Sequence, residues 1–237
     1  LNQAATQPSV EPRGPCLALF DLDHTLIPLD SDYEWTNYFI SQSPATRRAA
    51  LAAKNQQLMD AYNAGTLDPN DSLSFLIGLL AQQPREVLEK WRAEFFHQTI
   101  VPNLLGAARG VVEKHRALGD EIVMITSTNR FVVTPIAMAF GIHHLLATEP
   151  ETQAGGAFTG RWVGEPCFRE GKITHVQQWL RTQGKTLADY SQVFFYSDSI
   201  NDVPLLERVT DPVATNPSPA LESIARERGW KIIKLFA

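Results

Sequence analysis

Cysteine is nearly absent: Cys16 and Cys167 are the only two in 237 residues. A single pair cannot build the cross-linked framework of small secreted domains, and a chain of this length buries a core without one. Both are read as reduced, packed thiols, Cys16 inside an apolar strand. Long apolar runs are missing as well, none approaching the roughly 20 residues of a membrane span. The opening segment 1–15 is polar and contains proline, so it reads as an extension and not as a signal peptide. Nor is there an excess of positive charge. The formal net charge is -5, whereas a nucleic-acid partner demands a dense basic surface. The absences leave a cytoplasmic enzyme with no membrane and no nucleic-acid partner as the expectation. Its oligomeric state stays open between monomer and homodimer.

What is present is the alternation of apolar runs with amphipathic segments that marks an α/β fold, a doubly wound, mostly parallel sheet. Strands are expected at Cys16–Phe20, Glu121–Thr126, His144–Ala147 and Val193–Ser197, with Asp211–Thr215 and Trp230–Leu235 as edge strands. Gly119 and Gly141 sit where helices should end. Ser31 to Leu105 breaks the rhythm with helical patterns at Tyr33–Ile40, Pro44–Tyr62, Asp71–Ala81 and Arg85–His97. That is too much for a plain crossover. The expected organisation is therefore an N-terminal extension 1–15, a catalytic core 16–30 and 106–237, and a helical cap 31–105. A short hairpin is expected in Glu149–Glu165.

Polar residues gather at the predicted strand ends. Asp21 and Asp23 follow the first strand, Thr126 ends the second, and Asp198 and Asp202 follow the fourth. In doubly wound sheets the ligand crevice lies outside the carboxyl ends of the strands. Such a crowd of carboxylates calls for a hard cation, and Mg²⁺ suits it, since it takes a carboxylate or two, keeps waters and accepts phosphate oxygens.

The segments Asp21-Leu22-Asp23-His24-Thr25-Leu26, Thr126 after Ile122-Val123-Met124-Ile125, Lys172 in Glu170-Gly171-Lys172, and Ser197-Asp198-Ser199-Ile200-Asn201-Asp202 occur in that order. In these four motifs, from about Cys16 to the C-terminus, the chain resembles the haloacid dehalogenase superfamily, with Ser197 where that family usually has Gly. The helical insertion and the Gly160–Pro166 stretch resemble its phosphoserine phosphatase-like branch. The resemblance implies a phosphatase. Asp21 would attack phosphorus to give an aspartyl-phosphate, and Asp23 would act as acid and then base. Thr126 and Lys172 would hold the phosphoryl oxygens, and Asn201 would add a hydrogen bond. The Mg²⁺ ligands would be Asp21, Asp198 and the carbonyl of Asp23, with Asp202 on metal waters or on Lys172. Dehalogenases of the superfamily lack the equivalent of Asp23. A phosphomutase or phosphotransferase uses the same chemistry and is the alternative. A receiver domain also combines Asp, Thr and Lys, but is shorter and has no helical insertion.

The substrate is expected to be a small phosphorylated metabolite. Asp30 falls where the branch carries a Glu that reads a substrate amino group. Asp30, Asp32 and Glu34 form either an ammonium site or a solvated helix start. From Leu58 to Pro84 there is no Arg or Lys, so the branch's cap Arg for a substrate carboxylate is missing. Phosphoserine is thus an expected poor substrate, and amino-alcohol phosphates such as histidinol phosphate fit better. His24 reads as rim or packing, and Trp35, Trp91 and Phe95 as cap core.

Overall fold

The computed structural model describes residues 14–236; most of the expected extension 1–15 lies outside the described residues. β1 (Cys16–Phe20) is apolar and buried at every position, as befits a parallel strand covered on both faces. Alternation sends Leu17 and Leu19 to one face with Val123, Ile125, Val193 and Phe195. Ala18 and Phe20 go to the other, with Met124 and Tyr196.

Along the chain follow α1 (Ser31–Gln42), α2 (Ala45–Asn63), α3 (Pro69–Leu80), α4 (Arg85–Phe95), α5 (Gly106–Ala117), β2 (Glu121–Asn129), α6 (Arg130–Ala139), β3 (His144–Thr152), β4 (Phe158–Val163), α7 (Glu170–Thr182), β5 (Gln192–Ser197), a one-turn α8 (Val203–Leu206), β6 (Asp211–Thr215), α9 (Pro219–Glu227) and β7 (Lys231–Ile233). The 7-stranded sheet has the order β4-β3-β2-β1-β5-β6-β7. Only the β3–β4 pairing is antiparallel. The chain winds outward from β1 through β2 and β3, then returns to β1's other side at β5. The crevice above β1 and β5 is therefore the switch point of the sheet.

Two expectations change. β3 does not stop at Ala147; it continues to Thr152 and turns back as β4, which forms one edge of the sheet. β6 is interior, not an edge. It lies between β5 and β7 and pairs in parallel with both. Pro212 sits opposite Phe195 of β5, and pairing with β7 begins at Val213.

Of the helices between β1 and β2, α1 and α4 rest on α6. Trp35 of α1 is buried and meets Phe95 of α4 and Phe131 of α6 edge to face, with centroids 5.6 and 5.9 Å away. A proline accounts for a second tie. Pro135 lies inside α6 and has no N–H to offer the carbonyl of Phe131, one turn back. Arg92 of α4 supplies the donor instead, its Nη1 2.8 Å from that oxygen and its guanidinium 4.3 Å from the Phe131 ring centroid. Arg92→Leu is expected to lower the melting temperature by about 5 °C, because it strands a carbonyl. Adding Pro135→Ala returns the helix's own donor, and thermal unfolding should show most of the loss recovered. Among the described residues no helix is long and apolar enough to cross a membrane.

Candidate active site

Beyond β1 the chain turns sharply. The carbonyl of Leu22 accepts from the N–H groups of Thr25, Leu26 and Ile27 at 3.1, 2.8 and 3.2 Å. Leu22, Leu26 and Ile27 are buried, and His24 takes φ +55°. The apolar residues pin the turn from below, which leaves Asp21 and Asp23 at the top of the sheet. The N–H of Asp21 donates to Tyr196 O at 2.9 Å, carrying the β1–β5 pairing one residue past the strand.

Three carboxylates and one ammonium meet here. Lys172 Nζ donates to Asp21 Oδ1 at 2.8 Å and to Asp202 Oδ2 at 2.7 Å. Thr25 Oγ1 donates to Asp21 Oδ2 at 3.1 Å, lies 3.4 Å from Asp198 Oδ1, and accepts from the N–H of Asp198 at 3.0 Å. Asp202 also accepts from Ser197 Oγ at 2.6 Å. Ser197, in the position where Gly was expected, thus helps to hold Asp202. A Cβ on Gly171 would collide with the carbonyl oxygen of Pro166, so the entry to α7, and with it the placement of Lys172, requires glycine.

The electrostatics follow from burial. Asp21 is pushed up to about 7 by burial, with the charges of Asp202 and Asp23 adding to it and Lys172 opposing it. Asp198 is raised well above the usual carboxylate range by burial and by Asp21 and Asp202. Burial disfavours the charge on Lys172, but Asp202 and Asp21 outweigh that and raise its pKa. With one ammonium among three carboxylates, two of them buried, the site is short of positive charge. Among the described residues no three His, Cys, Asp or Glu side chains close into a ready-made metal group. The donors nonetheless fit Mg²⁺, which needs one or two carboxylates and completes its shell with water and phosphate. Asp21 Oδ2 and Asp198 Oδ1, bridged by Thr25, are the oxygens available.

The carboxylate of Asp23 is held away from that pair. It accepts from the N–H of Ser31 and from Thr128 Oγ1, both at 2.7 Å. Burial and the charge of Asp30 push it up to about 6, against those hydrogen bonds. Asp202 is likewise taken up by Lys172 and Ser197.

Asp21, Asp23, Asp30, Lys172, Asp198, Asn201 and Asp202 all line one cavity of about 110 Å³, room for several waters and so for a small ligand. Thr126 does not line it. Its side chain is fully buried and accepts from the N–H of Thr128 at 3.2 Å; Ser127 and Thr128 face the cavity instead. Of the acidic run that opens α1, Asp30 and Asp32 line the cavity and Glu34 does not. Asp30 caps α1 by accepting from the N–H of Tyr33 at 2.8 Å, and Asp32 accepts from Asn129 Nδ2 at 3.0 Å. Burial raises both, helped at Asp32 by the charges of Asp30 and Asp23. The lining also includes Leu58, Met59, Tyr62, Leu73 and Phe168. Tyr62 Oη lies 3.3 Å from Ser199 Oγ, joining α2 to the Asp198 loop. His24 sits at the rim, its carbonyl accepting from Asn216 at 3.0 Å.

Thr25 and Thr128 carry no assigned role in the sequence reading, and Ser197 figures there only as a replacement for Gly. The signal for Thr25 was present in its motif; those for the other two needed the strand ends in three dimensions.

Known proteins resemble this chain in sequence and fold. A histidinol-phosphatase of Neisseria meningitidis serogroup C (strain 8013) is 42% identical over 217 residues, covering 92% of this chain and 97% of the relative. A solved protein of unknown function from Bordetella pertussis Tohama I superposes with TM-score 0.90 at 49% identity, over 94% of this chain and 100% of that one. A phosphoserine phosphatase carrying a phospho-aspartyl intermediate analogue shares the fold, with TM-score 0.66 at 18% identity over 94% of this chain and 95% of the other. Phosphatase chemistry is thus the chain's enzymatic class. Residues 18–207, which hold Asp21, Lys172 and Asp198, match the haloacid dehalogenase-like hydrolase family, and the chain belongs to it.

Proposed function

We propose that the chain is a Mg²⁺-dependent phosphomonoesterase that works through an aspartyl-phosphate and acts on a small amino-alcohol phosphate, histidinol phosphate being the leading candidate. One observation carries the substrate reading. The cavity lining holds six aspartates, Asp21, Asp23, Asp30, Asp32, Asp198 and Asp202, and a single Lys or Arg, Lys172, already bonded to Asp21 and Asp202. A substrate ammonium relieves the repulsion among Asp23, Asp30 and Asp32. A substrate carboxylate finds no cation there.

The helices α1–α4 act as the cap, which selects the substrate and excludes water. Asp21 attacks phosphorus in line through its carboxylate oxygen. Mg²⁺, when held by Asp21, Asp198 and the carbonyl of Asp23, supplies the positive charge that lets the two anions approach. Lys172 Nζ and the Asn201 amide bind phosphoryl oxygens, with the Ser127 hydroxyl at the strand end as a further donor lining the same cavity. Asp23, raised toward neutrality and oriented by Ser31 and Thr128, gives its carboxyl proton to the leaving alkoxide oxygen. It then takes a proton from the water that hydrolyses the intermediate.

Phosphate release from histidinol phosphate, phosphoserine and an aryl phosphate tests the reading. We expect kcat/KM for histidinol phosphate to exceed that for phosphoserine by at least about a hundredfold, since a buried charge left unpaired is heavily penalised. Asp32→Asn should reduce the rate with histidinol phosphate more than with the aryl phosphate. Equal or better use of phosphoserine overturns the substrate assignment.

A further inference from the structure

Arg169, the residue just before α7, has φ +51° and ψ −122°. That is glycine's territory, strained for any residue with a Cβ. The surrounding loop leaves little alternative. The N–H of Phe168 donates to Pro166 O at 2.8 Å, that of Gly171 to Phe168 O at 2.9 Å, and that of Lys172 to Arg169 O at 3.1 Å. A glycine at 169 would suit this backbone better, so the arginine needs a reason in its side chain.

The side chain reaches the catalytic loop. Arg169 Nε donates to Asn201 Oδ1 at 3.1 Å, and its guanidinium lies 5.0 Å from the centroid of the Phe168 ring. Asn201 and Phe168 line the catalytic cavity, and Arg169 does not. A guanidinium has only donors, so the amide atom facing it is the oxygen. That fixes the orientation of Asn201 and leaves its Nδ2 donors for the cavity. The Asn201 backbone is anchored in turn, its N–H donating to Ser199 Oγ at 3.2 Å.

We propose that Arg169 is a positioning residue. It turns the Asn201 amide so that N–H faces the phosphoryl group, and it steadies the Phe168 wall, with the strained backbone tolerated for that purpose. The inference rests on reading this cavity as a phosphomonoester site.

The test is a double-mutant cycle in the full chain with Mg²⁺: Arg169→Gly, Asn201→Ala and both together. Melting temperature, kcat and KM on an aryl phosphate, and the Kd for inorganic phosphate by titration calorimetry are read for each. Arg169→Gly should melt at or above the parent temperature, because it relieves strain. At the same time its KM and phosphate Kd should rise about tenfold, as for one lost hydrogen bond to a charged group, with kcat falling less. The double variant should match Asn201→Ala within about twofold, since the arginine acts through that amide. Unchanged KM and Kd in Arg169→Gly overturn the proposal, as do effects that multiply in the double variant. A lower melting temperature for Arg169→Gly overturns the strain argument. Calorimetry needs no turnover, so a parent that binds phosphate but hydrolyses nothing overturns the functional reading alone. One that neither binds nor hydrolyses overturns both.

Discussion

Asp21→Asn is expected to cut Mg²⁺-dependent phosphate release by at least about three orders of magnitude, the scale on which removal of a nucleophile acts. The fold should survive. Asp21 is raised by burial from 3.8 to about 7, so the folded state favours its neutral form, and stability is lost as pH climbs from 3.8 to about 7 and stays lost above that. Asparagine stays neutral and keeps the shape, with its carbonyl toward Lys172 and its amide toward Thr25 and Asp198. In metal-free buffer at pH 8 the variant should therefore melt no lower than the parent, and its advantage should shrink toward pH 5. An inactive variant that is also unfolded would say nothing about chemistry, so melting curves belong beside the assay. Activity within tenfold of the parent removes Asp21 from the mechanism.

Lys172→Met has a large effect of the other kind. Lys172 is 2% exposed and is the cation between Asp21 and Asp202, at 2.8 and 2.7 Å. Its removal leaves buried carboxylates without their partner, a loss of about 3–5 kcal/mol, or a melting temperature roughly 10 °C lower for a chain of this size. The deficit depends on pH with a definite sign. Without the ammonium the pKa of Asp21 rises further, so below it the carboxyl is neutral and the penalty fades. The gap between variant and parent should be widest near pH 8 and narrower near pH 5. Phosphate release should be lost as well, because the point charge on the phosphoryl oxygens is gone. Equal melting temperatures at pH 8 contradict the geometry of the site.

The two variants act on residues that were legible in the sequence, and the reason is physical. An apolar run that stops at a carboxylate marks the carboxyl end of a buried strand, and in a doubly wound sheet those ends converge. Asp21, Asp23, Asp198 and Asp202 accordingly line one cavity, and Lys172 and Asn201, expected from the family resemblance and not from the strand pattern, line it too. Thr126 does not, although the strand pattern pointed to it. β2 continues to Asn129, and its register against β3 shifts between Thr126 and Asn129. Side chains alternate with period two, so a small irregularity decides which hydroxyl faces the ligand, and Ser127 and Thr128 do. β6, read as an edge strand, is covered by the short β7, whose pairing runs only from Val213 to Thr215. Links between distant elements were not legible at all. Nothing local couples Arg92 to the carbonyl freed by Pro135, Arg169 to Asn201, or Ser31 and Thr128 to the carboxylate of Asp23.

The account stands or falls on a covalent bond at Asp21. Borohydride reduces an acyl phosphate to the alcohol, so a phosphorylated aspartate quenched during turnover becomes homoserine and is found by peptide mass spectrometry. Homoserine at position 21, present with substrate and Mg²⁺ and absent without either, is the expected result. Homoserine at Asp23 or Asp198 instead, or sustained turnover with no residue trapped, contradicts it.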